Sequence, residues 1–212
     1  VRKSILRAPL QEETSQLTQR TIDYYNRNAT GFWEGTRDHD VTQNIEAFLA
    51  AMPAGRRRVL DLGCGPGRDL KVFSERGHDA IGLDGSRELA AMAREYSGCP
   101  VWERDFLALG LEPESFDGIF ANASLFHVPR GALGRVLAEL HCALRVSGVL
   151  FSSNPRGDSE AIQADRYGNY LEFDAYRGWL EAAGFEVLHH YYRPTGLPRD
   201  LQPWLAVVSR KR

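Results

Sequence analysis

The stretch Val59–Asp69, Val-Leu-Asp-Leu-Gly-Cys-Gly-Pro-Gly-Arg-Asp, constrains this chain more than any other. A β-type run ends in Asp61, passes through a glycine turn and opens a helix. Glycine at 63, 65 and 67 permits the positive φ of a tight turn and leaves no Cβ between backbone and ligand. A turn of this kind lets backbone amides approach a ligand at a helix N-terminus, where the helix dipole favours negative charge. The spacing argues against one ligand class. A dinucleotide-binding turn carries glycine three residues after its second glycine, so that helix and strand pack closely. Here that position is Arg68.

Beyond residue 58 strand and helix patterns alternate. Val59–Asp61, Asp79–Asp84, Pro100–Glu103, Phe116–Asn122 and Val149–Ser153 read as strands. Gly67–Arg76, a helix capped by Ser86 and running through Tyr96, and a helix after Arg130 lie between them. In the last, Leu133, Val136, Leu137, Leu140 and Leu144 recur at three- and four-residue spacing and predict one buried stripe. Asp174 is placed to cap a helix ending at Ala183-Gly184. Phe185–Tyr192 and Trp204–Ser209 follow as two strands with only the Pro-rich loop Arg193–Pro203 between them. The alternation predicts an α/β fold, a parallel sheet with helices on both faces. The closing pair, lacking a helical crossover, predicts an antiparallel ending. Residues 1–55 stand apart from residues 56–212, with helices expected at Leu17–Asn28 and Val41–Met52 and a linker at Gly31–Asp40. They suit a lid over the carboxyl ends of the strands or a packing appendage on the sheet edge.

At 212 residues the chain is one domain, or one domain with a small cap. A net charge of −2 gives no reason to expect a phosphate backbone or an anionic membrane surface as partner. No apolar run reaches the roughly 20 residues that span a bilayer, and the N-terminus shows no secretory apolar region. Cys64, Cys99 and Cys142 are odd in number and widely spaced, without metal-ligand pairing, which points to a reducing cytoplasm and no metal site. His189 and His190 are adjacent on a late strand and face opposite ways, so they would not share a metal.

The turn Asp61-x-Gly63-x-Gly65-x-Gly67 resembles the first motif of the class I S-adenosylmethionine-dependent methyltransferases. Tyr24-Tyr25-Asn26…Ala29…Phe32…Thr36 resembles the lead-in of small bacterial members, and the Gly-Arg-Asp ending of the turn resembles the tellurite and thiopurine methyltransferase neighbourhood. The resemblance covers about residues 56–212. It implies a Rossmann-like, seven-stranded, mostly parallel sheet with a terminal antiparallel pair and an N-terminal helical lid. It also implies S-adenosylmethionine as cofactor, with S-adenosylhomocysteine as product. Asp61, Gly63, Cys64, Gly65 and Gly67 would then surround the methionine end. Asp84, 23 residues after Asp61 and at the next strand end, offers a carboxylate able to accept two hydrogen bonds from the ribose diol. Gly85 would border the adenine, Asp105 would accept from its amino group, and the Phe106 N–H would donate to its ring. Tyr25, Ala121 and Asn122 would complete the cofactor site.

His127 is the candidate general base, since imidazole titrates near neutrality; its other reading is a loop or pocket hydrogen bond. Tyr24, Trp33, Phe126, Arg166, Tyr167 and Tyr170 are candidates for the acceptor wall, and the segment 154–173 reads equally well as a surface loop. Methyl transfer from a sulfonium is an in-line displacement that needs alignment and exclusion of water before it needs a base. The expected function is methylation of a small-molecule acceptor at O, N or a chalcogen, by a monomer or homodimer. An RNA or protein methyltransferase and a non-catalytic S-adenosylmethionine sensor or scaffold are the alternatives.

Overall fold

The structure, a computed structural model, describes residues 11–212; residues 1–10 of the expected N-terminal segment lie outside the described residues. Two helices open the chain, α1 (Gln11–Thr36) and α2 (Thr42–Ala51). Then β1 (Arg58–Leu62), α3 (Arg68–Glu75), β2 (Asp79–Asp84), α4 (Arg87–Ser97), β3 (Val101–Glu103), β4 (Phe116–Asn122), α5 (Arg130–Ala143) and β5 (Leu144–Pro155) alternate. A small ribbon of β6 (Glu160–Gln163) and β7 (Arg166–Asn169) interrupts the pattern before α6 (Phe173–Ala182), β8 (Phe185–Arg193) and β9 (Trp204–Lys211). The main sheet has seven strands in the order β3-β2-β1-β4-β5-β9-β8. The first five pair in parallel, while β9 runs antiparallel to both β5 and β8. The chain leaves β1 towards β2 on one side and returns to β4 on the other. That reversal opens a crevice at the carboxyl ends of β1 and β4.

Strand alternation divides the core between the two faces. Leu60, Leu62, Leu83, Ile119 and Leu150 meet the α5 stripe of Leu133, Val136, Leu137 and Leu140, together with Leu180 of α6. Val59, Phe120, Phe151 and Val208 point the other way, onto Phe48 of α2, Phe73 of α3 and Ala93 of α4. Phe48 centres an aromatic cluster, with ring centroids 5.6 Å from Phe73, 5.3 Å from Phe120 and 6.4 Å from Phe151. Gly118 makes room for it, since a Cβ there would fall 2.5 Å from Phe48 Cζ and from Met52 Sδ. Among the described residues no helix is long and apolar enough to cross a membrane.

Several expectations need correction. The linker placed at Gly31–Asp40 is largely helix: α1 runs through Thr36, kinked at Asn28, and Phe32 stacks edge-on to Tyr25 at 5.2 Å, seven residues earlier on the same face. Of the two N-terminal helices, α2 covers the sheet, burying Ile45 and Phe48, while α1 crosses the strand ends. Glu172, and not Asp174, occupies the N-cap position of α6, without a side-chain cap; Asp174 sits in the first turn and pairs with Arg177 at 3.2 Å. The segment 154–173 contains a hairpin. Its turn, Ala164-Asp165, has φ of 47° and 67°, the two positive values of a type I′ turn, without the usual Asn-Gly or Asp-Gly signal. The final helix stripe extends past the helix end, because Leu144 is buried as the first residue of β5.

Truncating Phe48 to Ala should lower unfolding free energy by about 3–5 kcal/mol in urea titration, as for other fully buried aromatics. A loss under about 1 kcal/mol would show α2 to be a peripheral attachment.

Candidate functional site

A cavity lies at the carboxyl ends of β1, β2 and β4, roofed by α1. Gly63, Gly65, Asp84, Gly85, Asp105, Phe106, Tyr25 and His127 all line it, so residues far apart in sequence converge as expected. Gly63, Gly65 and Gly67 adopt φ of 72°, 53° and 90°. A Cβ on Gly63 would collide with the Ser124 side chain and lie 3.1 Å from Phe106. The turn's amides do not reach for a ligand, however. Gly63 and Cys64 N–H groups donate to the Leu83 carbonyl at 2.7 and 3.1 Å, Gly65 N–H donates to Asp84 Oδ2 at 2.9 Å, and Gly67 N–H donates to the Cys64 carbonyl at 3.0 Å. What the turn presents to the cavity is bare glycine surface.

Asp84 ends β2 with its second oxygen accepting from Ser86 N–H at 2.8 Å. Burial raises its carboxyl to about 6, against those two stabilising hydrogen bonds. Asp105 accepts from Leu107 N–H at 2.8 Å, which holds the single 3-10 turn Phe106–Ala108 against the cavity. Asp61 is 2% exposed and is not part of the wall; its Oδ2 is buried with no hydrogen-bond partner among the described residues. Burial, then the neighbouring Asp69, pushes its carboxyl well above the usual range.

Four expected cofactor residues point elsewhere. Cys64 is buried away from the wall, its sulfur beside Gly82, where a Cβ would fall 2.8 Å from it. Gly67 is a packing glycine, since a Cβ would lie 2.9 Å from Ala93 Cα on α4. Ala121 is fully buried in the core, and the Asn122 side chain turns aside to Asp69 Oδ2 at 3.1 Å and Asn44 at 2.9 Å. The next two residues, Ala123 and Ser124, line the cavity instead, with Ala123 at φ 60°.

Thr18, Thr21, Ile22 and Phe32 of α1 also line the cavity, as does Leu89 of α4. The α1 residues went unassigned, although with Tyr25 they recur at three-, four- and seven-residue intervals, a legible helical stripe. Two of the ties that hold α1 down come from the starts of α3 and α4. Arg68 grips Asp69 at 2.7 Å and donates to the Thr36 carbonyl at 2.7 Å; Asn26 accepts from the Ser86 hydroxyl at 2.8 Å.

His127 Nδ1 lies 2.6 Å from the Tyr167 carbonyl, which can only accept, so that nitrogen carries the proton. Nε2 therefore accepts from the Tyr25 hydroxyl at 2.9 Å. Burial drives the imidazole down to about 4, opposed by the Tyr167 bond and assisted by the charge of Arg166. Of the expected acceptor wall, Phe126 stacks behind His127 at 3.9 Å and Tyr170 stands 6.3 Å beyond it. Tyr167 contributes its carbonyl; its hydroxyl is committed to Glu160 and accepts from Arg130 N–H at 3.0 Å. The Arg166 guanidinium rests over Tyr24 at 4.8 Å and interacts with the Tyr25 hydroxyl. Trp33 lies elsewhere, 4.8 Å from Tyr96.

Residues 59–148, which carry the turn, Asp84, Asp105 and His127, match a family described as a methyltransferase domain. That stretch of the chain matches the domain, and the fold is the one shared by solved S-adenosylmethionine-dependent methyltransferases. Trans-aconitate 2-methyltransferase of Methylobacterium nodulans is 32% identical over 172 residues, covering 69% of this chain and 64% of the relative. Malonyl-[acyl-carrier protein] O-methyltransferase of Enterobacter lignolyticus is 31% identical over 119 residues, 55% of this chain and 47% of the relative. Across such curated relatives the chain spans from 37% to 64% of their length. The Burkholderia thailandensis 1,6-didemethyltoxoflavin-N1-methyltransferase, solved with its substrate and S-adenosylhomocysteine, shares the fold with a TM-score of 0.75 at 24% identity, over 97% of this chain and 93% of that one.

The cavity fits the cofactor of this methyltransferase family. Gly63 leaves a cradle that a Cβ would fill, and Asp84 and Asp105 place carboxyl groups on the wall. This suits a ligand rich in hydroxyl and amino donors.

Because the folded state lowers the His127 pKa, the unfolded chain takes up a proton first as pH falls. The stability tied to neutral His127 is present above about 6.5 and lost through the window down to about 4. Urea unfolding at pH 7 and pH 4.5 should show wild type losing about 2–3 kcal/mol relative to His127→Gln.

Proposed function

We propose that this chain transfers a methyl group from S-adenosylmethionine to a small-molecule acceptor by in-line displacement. The observation that carries the reading is the convergence of Gly63, Asp84, Asp105 and Phe106 on one cavity beneath α1. The bound donor supplies a methyl group already activated by its sulfonium and leaves as S-adenosylhomocysteine. Asp84 accepts the ribose hydroxyls with the lone pairs left free by Gly65 and Ser86. Asp105 and the Phe106 turn engage the adenine. The helix α1, with Tyr25 and Phe32, closes the site against water, which strengthens polar contacts and prevents hydrolysis.

His127 orients Tyr25 and does not take a proton in the reaction. Its one free lone pair is occupied by the Tyr25 O–H, and its depressed basicity makes it a poor acceptor at neutral pH. The roof of α1 and the β6–β7 hairpin favours a small acceptor over a polymer. Relatives named for trans-aconitate, malonyl-acyl-carrier protein and sterols support small acceptors of differing kinds.

Calorimetry with S-adenosylhomocysteine tests the site directly. Asp84→Ala should weaken binding by roughly 2–4 kcal/mol, the scale of a lost charged double acceptor. In wild type the hydroxyl donors prefer ionised Asp84, so affinity should hold above about 6 and fall, by up to about tenfold per pH unit, below it. Unchanged affinity in both experiments would remove the ribose assignment. Tight cofactor binding with no S-adenosylhomocysteine release across a broad acceptor panel would identify a sensor.

A further inference from the structure

We infer that Tyr191 of β8 and Asn44 of α2, neither of them on the cavity wall, are positioning residues for the roof, acting through a directional chain of hydrogen bonds that ends on α1. Their effect on the roof is independent of the methyl-transfer reading above; their effect on cofactor retention rests on it.

The chain runs from β8 through α2, β4 and α3 to α1. The Tyr191 hydroxyl donates to Asn44 Oδ1 at 2.9 Å, and Asn44 Nδ2 donates to Asn122 Oδ1 at 2.9 Å. Asn122, the last residue of β4, donates through Nδ2 to Asp69 Oδ2 at 3.1 Å. Arg68 grips Asp69 from the other side, with Nε 2.7 Å from Oδ1 and Nη2 3.1 Å from Oδ2. Its Nη1 donates to the carbonyl of Thr36, the last residue of α1, at 2.7 Å. Thr36 in turn donates its hydroxyl to the Phe32 carbonyl at 2.7 Å. Phe32 is the roof residue that closes over the glycine turn, since a Cβ on Gly65 would lie 3.4 Å from its ring.

Donation has a fixed direction as far as Asp69. A carboxamide bonded at both ends has one orientation, with its oxygen accepting and its nitrogen donating. The Tyr191 proton sets that orientation, and the Gln43 carbonyl at 3.4 Å is the weaker acceptor for it. Asn44 is fully buried between α2 and the sheet, beside Ile45 and Phe48, so its oxygen has no recourse to water. Without the phenol proton that oxygen is stranded, which is costly in the interior. Turning the Asn44 amide over would set its oxygen against the Asn122 oxygen. Turning Asn122 as well would set an oxygen against the Asp69 carboxylate. Each remedy carries the fault one step nearer to Arg68 and the roof. The apolar contacts that hold α2 on the sheet are non-directional and cannot transmit such a constraint. Asn122 also leads directly into Ala123 and Ser124, so the same chain steadies the start of one cavity wall.

The test is a double-mutant cycle read at the roof. Tyr191→Phe removes the first donor and keeps the ring. Amide hydrogen exchange of residues 29–36, the part of α1 after its kink, should quicken about 3- to 10-fold in the ligand-free chain. Bound S-adenosylhomocysteine should dissociate faster by about the same factor. Arg68→Gln cuts the chain at the roof and should do at least as much, and adding Tyr191→Phe to it should change neither rate further. Asn122→Ala cuts the chain midway and serves in the same cycle if Arg68→Gln does not fold. Tyr176→Phe, which takes a buried hydroxyl from Ser152 at 2.9 Å, should leave both rates unchanged. Either rate unchanged in Tyr191→Phe, effects of Tyr191→Phe and Arg68→Gln that simply add, or an equal response to Tyr176→Phe would each overturn the proposal. If wild type does not bind S-adenosylhomocysteine while exchange at the roof responds as expected, the methyltransferase reading falls and the positioning chain stands.

Discussion

Three hydrogen bonds tie the glycine turn after β1 to the end of β2. Gly63 and Cys64 N–H donate to the Leu83 carbonyl, and Gly65 N–H donates to the Asp84 carboxylate. The rest of the site follows from them. They consume the amides of the turn itself, so the turn is unsuited to cradling a phosphate. They also hold the Asp84 carboxylate in the crevice, buried enough to keep its pKa near 6. Ser86 completes the clamp and in the same residue caps α4, its hydroxyl accepting from Leu89 N–H at 3.2 Å.

The roof is fastened to this floor from several sides. Asn26 reaches Ser86, Arg68 reaches the carbonyl end of α1, and Arg20 pairs with Asp165 in the turn of the hairpin. His127 joins roof, floor and hairpin in one line, from the Tyr25 hydroxyl through its ring to the Tyr167 carbonyl. Burial acts on the two titrating groups in opposite senses. It costs Asp84 stability as pH rises through about 6 and costs His127 stability as pH falls from 6.5 towards about 4. Both costs arise from taking a group out of water to make a dry reaction site.

The fold is what this chain shares with solved methyltransferases, and the proteins it is similar to are named for trans-aconitate, malonyl-[acyl-carrier protein], sterol and 1,6-didemethyltoxoflavin acceptors. α1 and the β6–β7 hairpin lie outside the alternating strands and helices of the sheet and pack over its strand ends. Arg166 is the first residue of β7 and owes its place beside Tyr25 to the hairpin's register with β6.

Local chemistry was legible wherever short-range physics decides it. The spacing of glycines at 63, 65 and 67, the acid at the end of each of the first two strands, the Ser86 cap and the leucine stripe of α5 each depend on neighbours within one turn or one strand. They predicted the parallel sheet, its antiparallel ending and Asp84 on the cavity wall. Partnership across the chain was not legible. No local signal says that Cys64 packs behind Gly82, that Asn122 turns to Asp69, or that Gly67 serves helix packing. The hairpin turn at Ala164-Asp165 lacks the residues that advertise positive φ. The sequence by itself determined the fold and the glycine turn with Asp84 at the strand ends, because propensity, periodicity and turn chemistry act over a few residues. Only the tertiary structure decided that His127 is a neutral link between Tyr25 and Tyr167 and that Arg166 stands beside them, because burial and charge pairing are set by residues more than a hundred positions apart in the chain.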